Sequence, residues 1–72
     1  MTEQKFTTIE GHIIGYVQTL DNGDQVALSH PYRRILGYYR KSMDATTTLE
    51  GRIINRGNTV SALVYNEYYK NN

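Results

Sequence analysis

Cysteine and tryptophan are absent from this chain, and phenylalanine and proline occur once each, at Phe6 and Pro31. Without cysteine, no disulfide can staple the fold and no thiolate can hold a metal. The 72 residues make one domain, residues 1–72, that buries little surface. A small domain without a covalent or metal staple commonly gains stability by self-association, so a homo-oligomer is expected. No apolar run approaches the length of a membrane span, and the first residues lack the basic, apolar and small-residue order of a secretion signal. A cytoplasmic setting without a membrane partner is the expectation. Net charge is only +1, so the molecule has no strong overall field and polymeric nucleic acid is a poor match as partner.

The chain is rich in tyrosine, with seven residues that each offer an apolar face and a polar tip suited to interfaces. A phrase also repeats. Gly11-His12-Ile13-Ile14-Gly15-Tyr16 returns as Arg33-Arg34-Ile35-Leu36-Gly37-Tyr38 and again, altered, as Gly51-Arg52-Ile53-Ile54-Asn55-Arg56-Gly57. An aliphatic pair followed by a small residue, recurring at steps of about 20 residues, marks a repeat architecture.

Each copy reads as β structure. Residues 1–5 are polar and expected to fray. Phe6–Ile9 is a short β-prone run, Glu10-Gly11 a turn, and His12–Leu20 a longer strand. Strict alternation places Ile13, Gly15 and Val17 on one side and Ile14, Tyr16, Gln18 and Leu20 on the other. Both rows carry apolar groups, which calls for cover on both faces. Asn22-Gly23 closes a tight hairpin. Gln25–Ser29 returns, Pro31 interrupts, and Arg34–Arg40 follows, with Leu36, Tyr38 and Arg40 on one side. Thr46–Leu49 and Arg52–Arg56 form the last pair around Glu50-Gly51. The hairpin repeats thus occupy residues 6–57. Val60, Leu63, Val64 and Tyr68 then fall at helical spacing after a cap at Asn58 or Thr59, so residues 58–72 are read as a short C-terminal helix, with a final strand as the alternative.

The run from Ile14-Gly15-Tyr16 through Asp21-Asn22-Gly23 and Val26 to Tyr32-Arg33-Arg34-Ile35-Leu36-Gly37-Tyr38 resembles the bacterial β-flower repeat families. The likeness covers about residues 11–65, and Asn55-Arg56 departs from it by replacing the Gly-Tyr pair. It implies an all-β fold of antiparallel hairpins in a small curled or radial, barrel-like sheet with a short C-terminal element. It implies no activity.

Catalytic signatures are missing. There is no Gly-x-Ser-x-Gly elbow, no His-Glu-x-x-His helix and no Gly-x-x-x-x-Gly-Lys loop. Asp21 and Asp24 flank Asn-Gly and read as turn residues, while His12 and His30 stand at a strand start and before proline. Asp21–Asp24 lacks the alternating ligands of a calcium loop. No enzyme activity, cofactor or metal is expected. Gly15 and Gly37 read as places where a strand bends or another backbone approaches, or as floor space for a flat ligand between tyrosines.

What remains is the interleaving of arginine with tyrosine in Tyr32-Arg33-Arg34, Tyr38-Tyr39-Arg40 and the later Arg52 and Arg56. Guanidinium forks grip phosphate oxygens and phenol rings stack on bases. Arg33, Arg34, Arg40, Arg52 and Arg56 are the expected phosphate contacts, and Tyr32, Tyr38 and Tyr39 the stacking groups. A solvated face of ordinary Arg-Tyr and Arg-Glu pairs is the competing reading. The expectation is a non-catalytic homo-oligomer that binds a small anionic, aromatic ligand, a nucleotide or cyclic oligonucleotide, near a subunit interface. Such a trap would suit a viral counter-defence protein acting in host cytoplasm. A protein-interaction module serving as inhibitor or adaptor, or a single-strand nucleic-acid binder, is the alternative.

Overall fold

A computed structural model describes residues 1–70. The chain forms one six-stranded antiparallel sheet whose strands lie in sequence order, followed by a helix. The strands are β1 (Thr2–Thr7), β2 (Ile13–Thr19), β3 (Gln25–Ser29), β4 (Ile35–Arg40), β5 (Ala45–Thr47) and β6 (Ile53–Arg56). The helix α1 is Val60–Lys70. The sheet is open: β1 and β6 are its edges and do not pair with each other. Residues 71 and 72, the end of the expected C-terminal element, lie outside the described residues.

The repeat is legible in the register. Phe6 pairs with Gly15, Ala27 with Gly37 and Thr46 with Asn55. One step on, Lys5 pairs with Tyr16, Val26 with Tyr38 and Ala45 with Arg56. Thr7, Leu28 and Thr47 pair with Ile13, Ile35 and Ile53, and in every copy the register slips by one residue between these pairs. The aliphatic-pair phrase therefore encodes a β-bulge: Ile14-Gly15, Leu36-Gly37 and Ile54-Asn55 each oppose a single residue. The turns match as well. Thr8, Ser29 and Thr48 each accept, through a side-chain oxygen, the N–H of the residue that re-enters the next strand (His12, Arg34 and Arg52, all at 3.1 Å). The residue before re-entry has positive φ in each case: Gly11 at 94°, Arg33 at 56° and Gly51 at 94°.

The bulge corrects the alternation expected from sequence. A bulge turns the extra side chain to the same side as its neighbour, so Ile14 joins Val17 in the core and Leu36 packs against that core instead of standing beside Tyr38. The N-terminus is a second correction. Residues 2–5 belong to β1 and residues 8–11 are turn, whereas fraying over 1–5 and a strand over Phe6–Ile9 were expected. An edge strand can be polar because its side chains are solvated while its backbone pairs inward. Here Glu3 pairs with Gln18, and the Met1 ammonium meets Asp21 at 2.8 Å.

The helix lies across β2, β3 and β4 on one face. It buries Val60 and Val64 against Ile14, Val17 and Ala27, with Phe6, Leu36, Tyr39, Leu63 and Tyr68 around them. Asn58 caps it, its Oδ1 accepting the Val60 N–H at 3.2 Å. The path into it is fixed by Thr46, whose hydroxyl donates to the Gly57 carbonyl at 2.8 Å and accepts the Thr59 N–H at 2.9 Å.

Gly15 and Gly37 make this approach possible. A Cβ at Gly15 would sit 2.5 Å from the Leu28 carbonyl oxygen and 2.7 Å from Val64 Cγ1. A Cβ at Gly37 would sit 2.5 Å from the Thr47 oxygen and 2.7 Å from Leu63 Cδ1. Close approach is the reading that holds. The ligand-floor reading does not, because the helix covers both glycines.

Candidate functional site

The face away from the helix carries the other strand positions: Glu3, Tyr16, Gln18, Val26, Leu28, Tyr38, Arg40, Ala45, Thr47 and Arg56. Among the described residues no element roofs this face, yet Val26, Leu28, Ala45 and Thr47 are buried. Their cross-strand neighbours shield them. Leu28 lies between Tyr16 and Ile35, Val26 between Gln18 and Tyr38, and Ala45 between Arg40 and Arg56.

Two arginine-tyrosine stacks stand on this face. Arg33 lies over the Tyr16 ring, 4.4 Å from its centre, and pairs with Glu3. Its left-handed backbone at the turn swings the guanidinium back over the sheet. The Tyr16 hydroxyl is hydrogen-bonded to His30 Nδ1 at 2.8 Å. Arg40 lies over the Tyr38 ring at 4.2 Å and reaches Asp24 Oδ2 at 3.4 Å. Stacks of this kind combine ring-face electrostatics with a guanidinium that keeps donors free at its edge.

The carboxylates beside the stacks respond to them. Arg33 first, and then the Gln18 amide, hold Glu3 below its ordinary range. The backbone N–H of Lys41, donated to Asp24 Oδ1 at 2.8 Å, is the main cause lowering Asp24, with Arg40 adding to it. Asp24 is thus the clamp between the β2–β3 turn and the end of β4, and also accepts the Asn22 amide at 3.3 Å. Turn chemistry was its expected role.

The eight candidate residues do not converge on one spot. Tyr38 and Arg40 on β4 and Arg56 on β6 share the helix-free face, with β5 between them. Arg33 is on that face by its turn, but over Tyr16. Tyr39 points the other way, packs against the core and donates its hydroxyl to Asp44 at 2.8 Å, which raises its pKa. Arg34 pairs with Glu67 on the helix at 3.2 Å. Tyr32 stands 83% exposed at the tip of the β3–β4 turn, and Arg52 is exposed in the β5–β6 turn. Sequence reasoning missed Tyr16, the partner that Arg33 stacks on. Its signal was the repeat itself, since Tyr16 holds the place of Tyr38.

Arg34 separates two hollows. One, of about 370 Å³, is bounded by Ile13, Ile14, Pro31, Tyr32 and Tyr68. The other, of about 550 Å³, is an open apolar groove between Ile35, Leu36 and Leu49. Each lies where a turn meets the bulged strand of the preceding hairpin. Among the described residues no His, Asp or Glu cluster could hold a metal ion, and no helix is long and apolar enough to cross a membrane. No family model, curated protein or solved structure matches this chain.

Proposed function

We propose that the protein is a non-catalytic, homo-oligomeric binder of a small anionic ligand carrying an aromatic ring, of the nucleotide or cyclic-oligonucleotide class, and that it acts by sequestration. One observation carries this reading. The Arg40–Tyr38 stack and Arg56 share the helix-free face, and Arg56 has no carboxylate partner among the described residues. They sit two strands apart, a span of about 10 Å that a nucleoside and its phosphate can bridge. Arg56 and the free edge of Arg40 supply fork-shaped donors for phosphate oxygens. Tyr38 supplies the ring on which a base can stack once Arg40 shifts. The curled or radial closure implied by the β-flower likeness belongs to the assembled form in this reading, because Arg56 lies on an open edge.

A thermal-shift series with mono-, cyclic and oligonucleotides tests it. A ligand that binds only the folded state raises the melting temperature, by an amount that grows with its concentration. Arg56→Ala, which breaks no ion pair, is expected to remove at least most of that gain, and Tyr38→Ala with Arg40→Ala to abolish it. The response to salt should be shallow, unlike the steep loss of a polymer binder. No stabilisation by any of these ligands, or undiminished stabilisation of both variants, contradicts the proposal.

A further inference from the structure

Three hairpins joined in line create two seams inside the chain. At the first, Tyr16 pairs with Leu28, Val17 with Ala27 and Gln18 with Val26. At the second, Tyr38 pairs with Thr47, Tyr39 with Thr46 and Arg40 with Ala45. In repeat coordinates these are the same three pairs. Each seam is therefore one interface used twice, built from the bulged strand of one hairpin and the first strand of the next.

The two halves of a third seam are left at the sheet edges. The bulged strand β6 has every residue exposed, with Ile53 at 44% and Ile54 at 49%. The first strand β1 leaves Lys5 and Thr7 exposed, although the matching Val26 and Leu28, and Ala45 and Thr47, are buried. The turn tips tell the same story. Within the chain, the aliphatic pair of each bulged strand and the tip of the next hairpin's turn line a common hollow: Ile13-Ile14 with Pro31, and Ile35-Leu36 with Leu49. The remaining tip is Ile9, which is 99% exposed, and the remaining pair is Ile53-Ile54.

We infer that β6 pairs antiparallel with β1 of a second copy of this chain, in the register of the two internal seams. Arg56 then lies opposite Thr7 of the second copy, Asn55 opposite its Thr8, and the Ile53-Ile54 pair receives its Ile9. The same register brings the turn tip that carries Glu10 of the second copy to the Arg52 end of β6, and among the described residues neither of these charges has an ion pair. The helix does not obstruct this edge, because the chain leaves β6 at Gly57 toward β5, where the Gly57 N–H bonds to the Asp44 carbonyl at 2.7 Å. The contact joins unlike surfaces, so it generates a ring or an open chain of copies. This inference deepens the homo-oligomer part of the proposed function and is independent of the ligand.

The cysteine-free sequence permits a clean test. The single variants Ile9→Cys and Ile54→Cys are mixed in equal amounts without nucleotide and gently oxidised, and the linked peptides are identified by mass spectrometry. The 9–54 link is expected to exceed both like-with-like links several-fold, and light scattering of the unmodified chain is expected to give a mass of two or more copies. Ile54→Glu, at an exposed position, is expected to reduce that mass to one chain with unchanged circular dichroism. A single-chain mass for the unmodified protein, a predominant 54–54 or 9–9 link, or an unaltered assembly in Ile54→Glu overturns the inference. Assembly through this seam with no thermal response to nucleotides would sink only the ligand proposal.

Discussion

Two adjacent threonines show how much a single side chain can mean here. Thr46 and Thr47 are both fully buried, on opposite faces of β5. The Thr46 hydroxyl ties the strand to the helix entry through two hydrogen bonds, whereas Thr47 Oγ1 has no partner among the described residues. An unpaired buried hydroxyl costs stability, and a paired one lost leaves its partners unsatisfied. Thr47→Val should therefore leave stability unchanged or raise it by about 1 kcal/mol, while Thr46→Val should lower it by about 1–3 kcal/mol, as read by chemical denaturation. The charged residues make a second prediction. Glu3 and Asp24 are both held below the ordinary carboxylate range. Their contribution to stability is complete above the unfolded value of about 4 and is lost as pH falls through the lowered folded values. Asp24→Asn should flatten the acid side of the melting-temperature profile, and a profile as steep as that of the unmodified chain would contradict the clamp.

At the scale of elements, the governing feature is the bulge. It is what makes three short sequence phrases equivalent, and it turns Ile14 and Leu36, one of each aliphatic pair, toward the core while Ile35 stays exposed. Gly15→Ala and Gly37→Ala each thrust a methyl group against a backbone carbonyl that cannot rotate away. Each should cost about 1–3 kcal/mol, as overpacking does, and loosen the helix. Gly11 and Gly51 have open space around them but positive φ, so alanine there should cost only about 1 kcal/mol and leave the helix in place. Equal losses at all four positions, by urea titration, would remove the distinction. The strands from β2 onward, the Asn-Gly hairpin and the helix were legible because each rests on local chemistry: turn residues, β-branched runs and 3.6-residue spacing. The faces of Ile14 and Leu36 were not, because a register slip is a property of two paired strands and leaves no mark on alternation in one. β1 was hidden for a related reason. Its polar side chains are those of a solvated edge, and only its pairing with β2 makes it a strand.

For the whole molecule, the candidate site was legible as composition but not as geometry. Tyr38 and Arg40 were two residues apart on one strand and stayed together. Tyr32, Arg34 and Tyr39 were neighbours in sequence and were dispersed by a turn, a helix contact and the strand pleat. Tyr16 entered through the repeat, as the matching ring under Arg33. The same repeat accounts for the small buried core, because a chain with two completed seams keeps the two halves of a third exposed. In the proposed assembly, association covers Ile9, Ile53 and Ile54 and brings the Arg56 edge into a completed sheet. Light scattering across a concentration series, with Ile54→Glu alongside, tests this most directly. The account predicts an assembly of at least two copies that the substitution returns to single folded chains. A chain that stays single at every concentration, with its third seam bare, would contradict it.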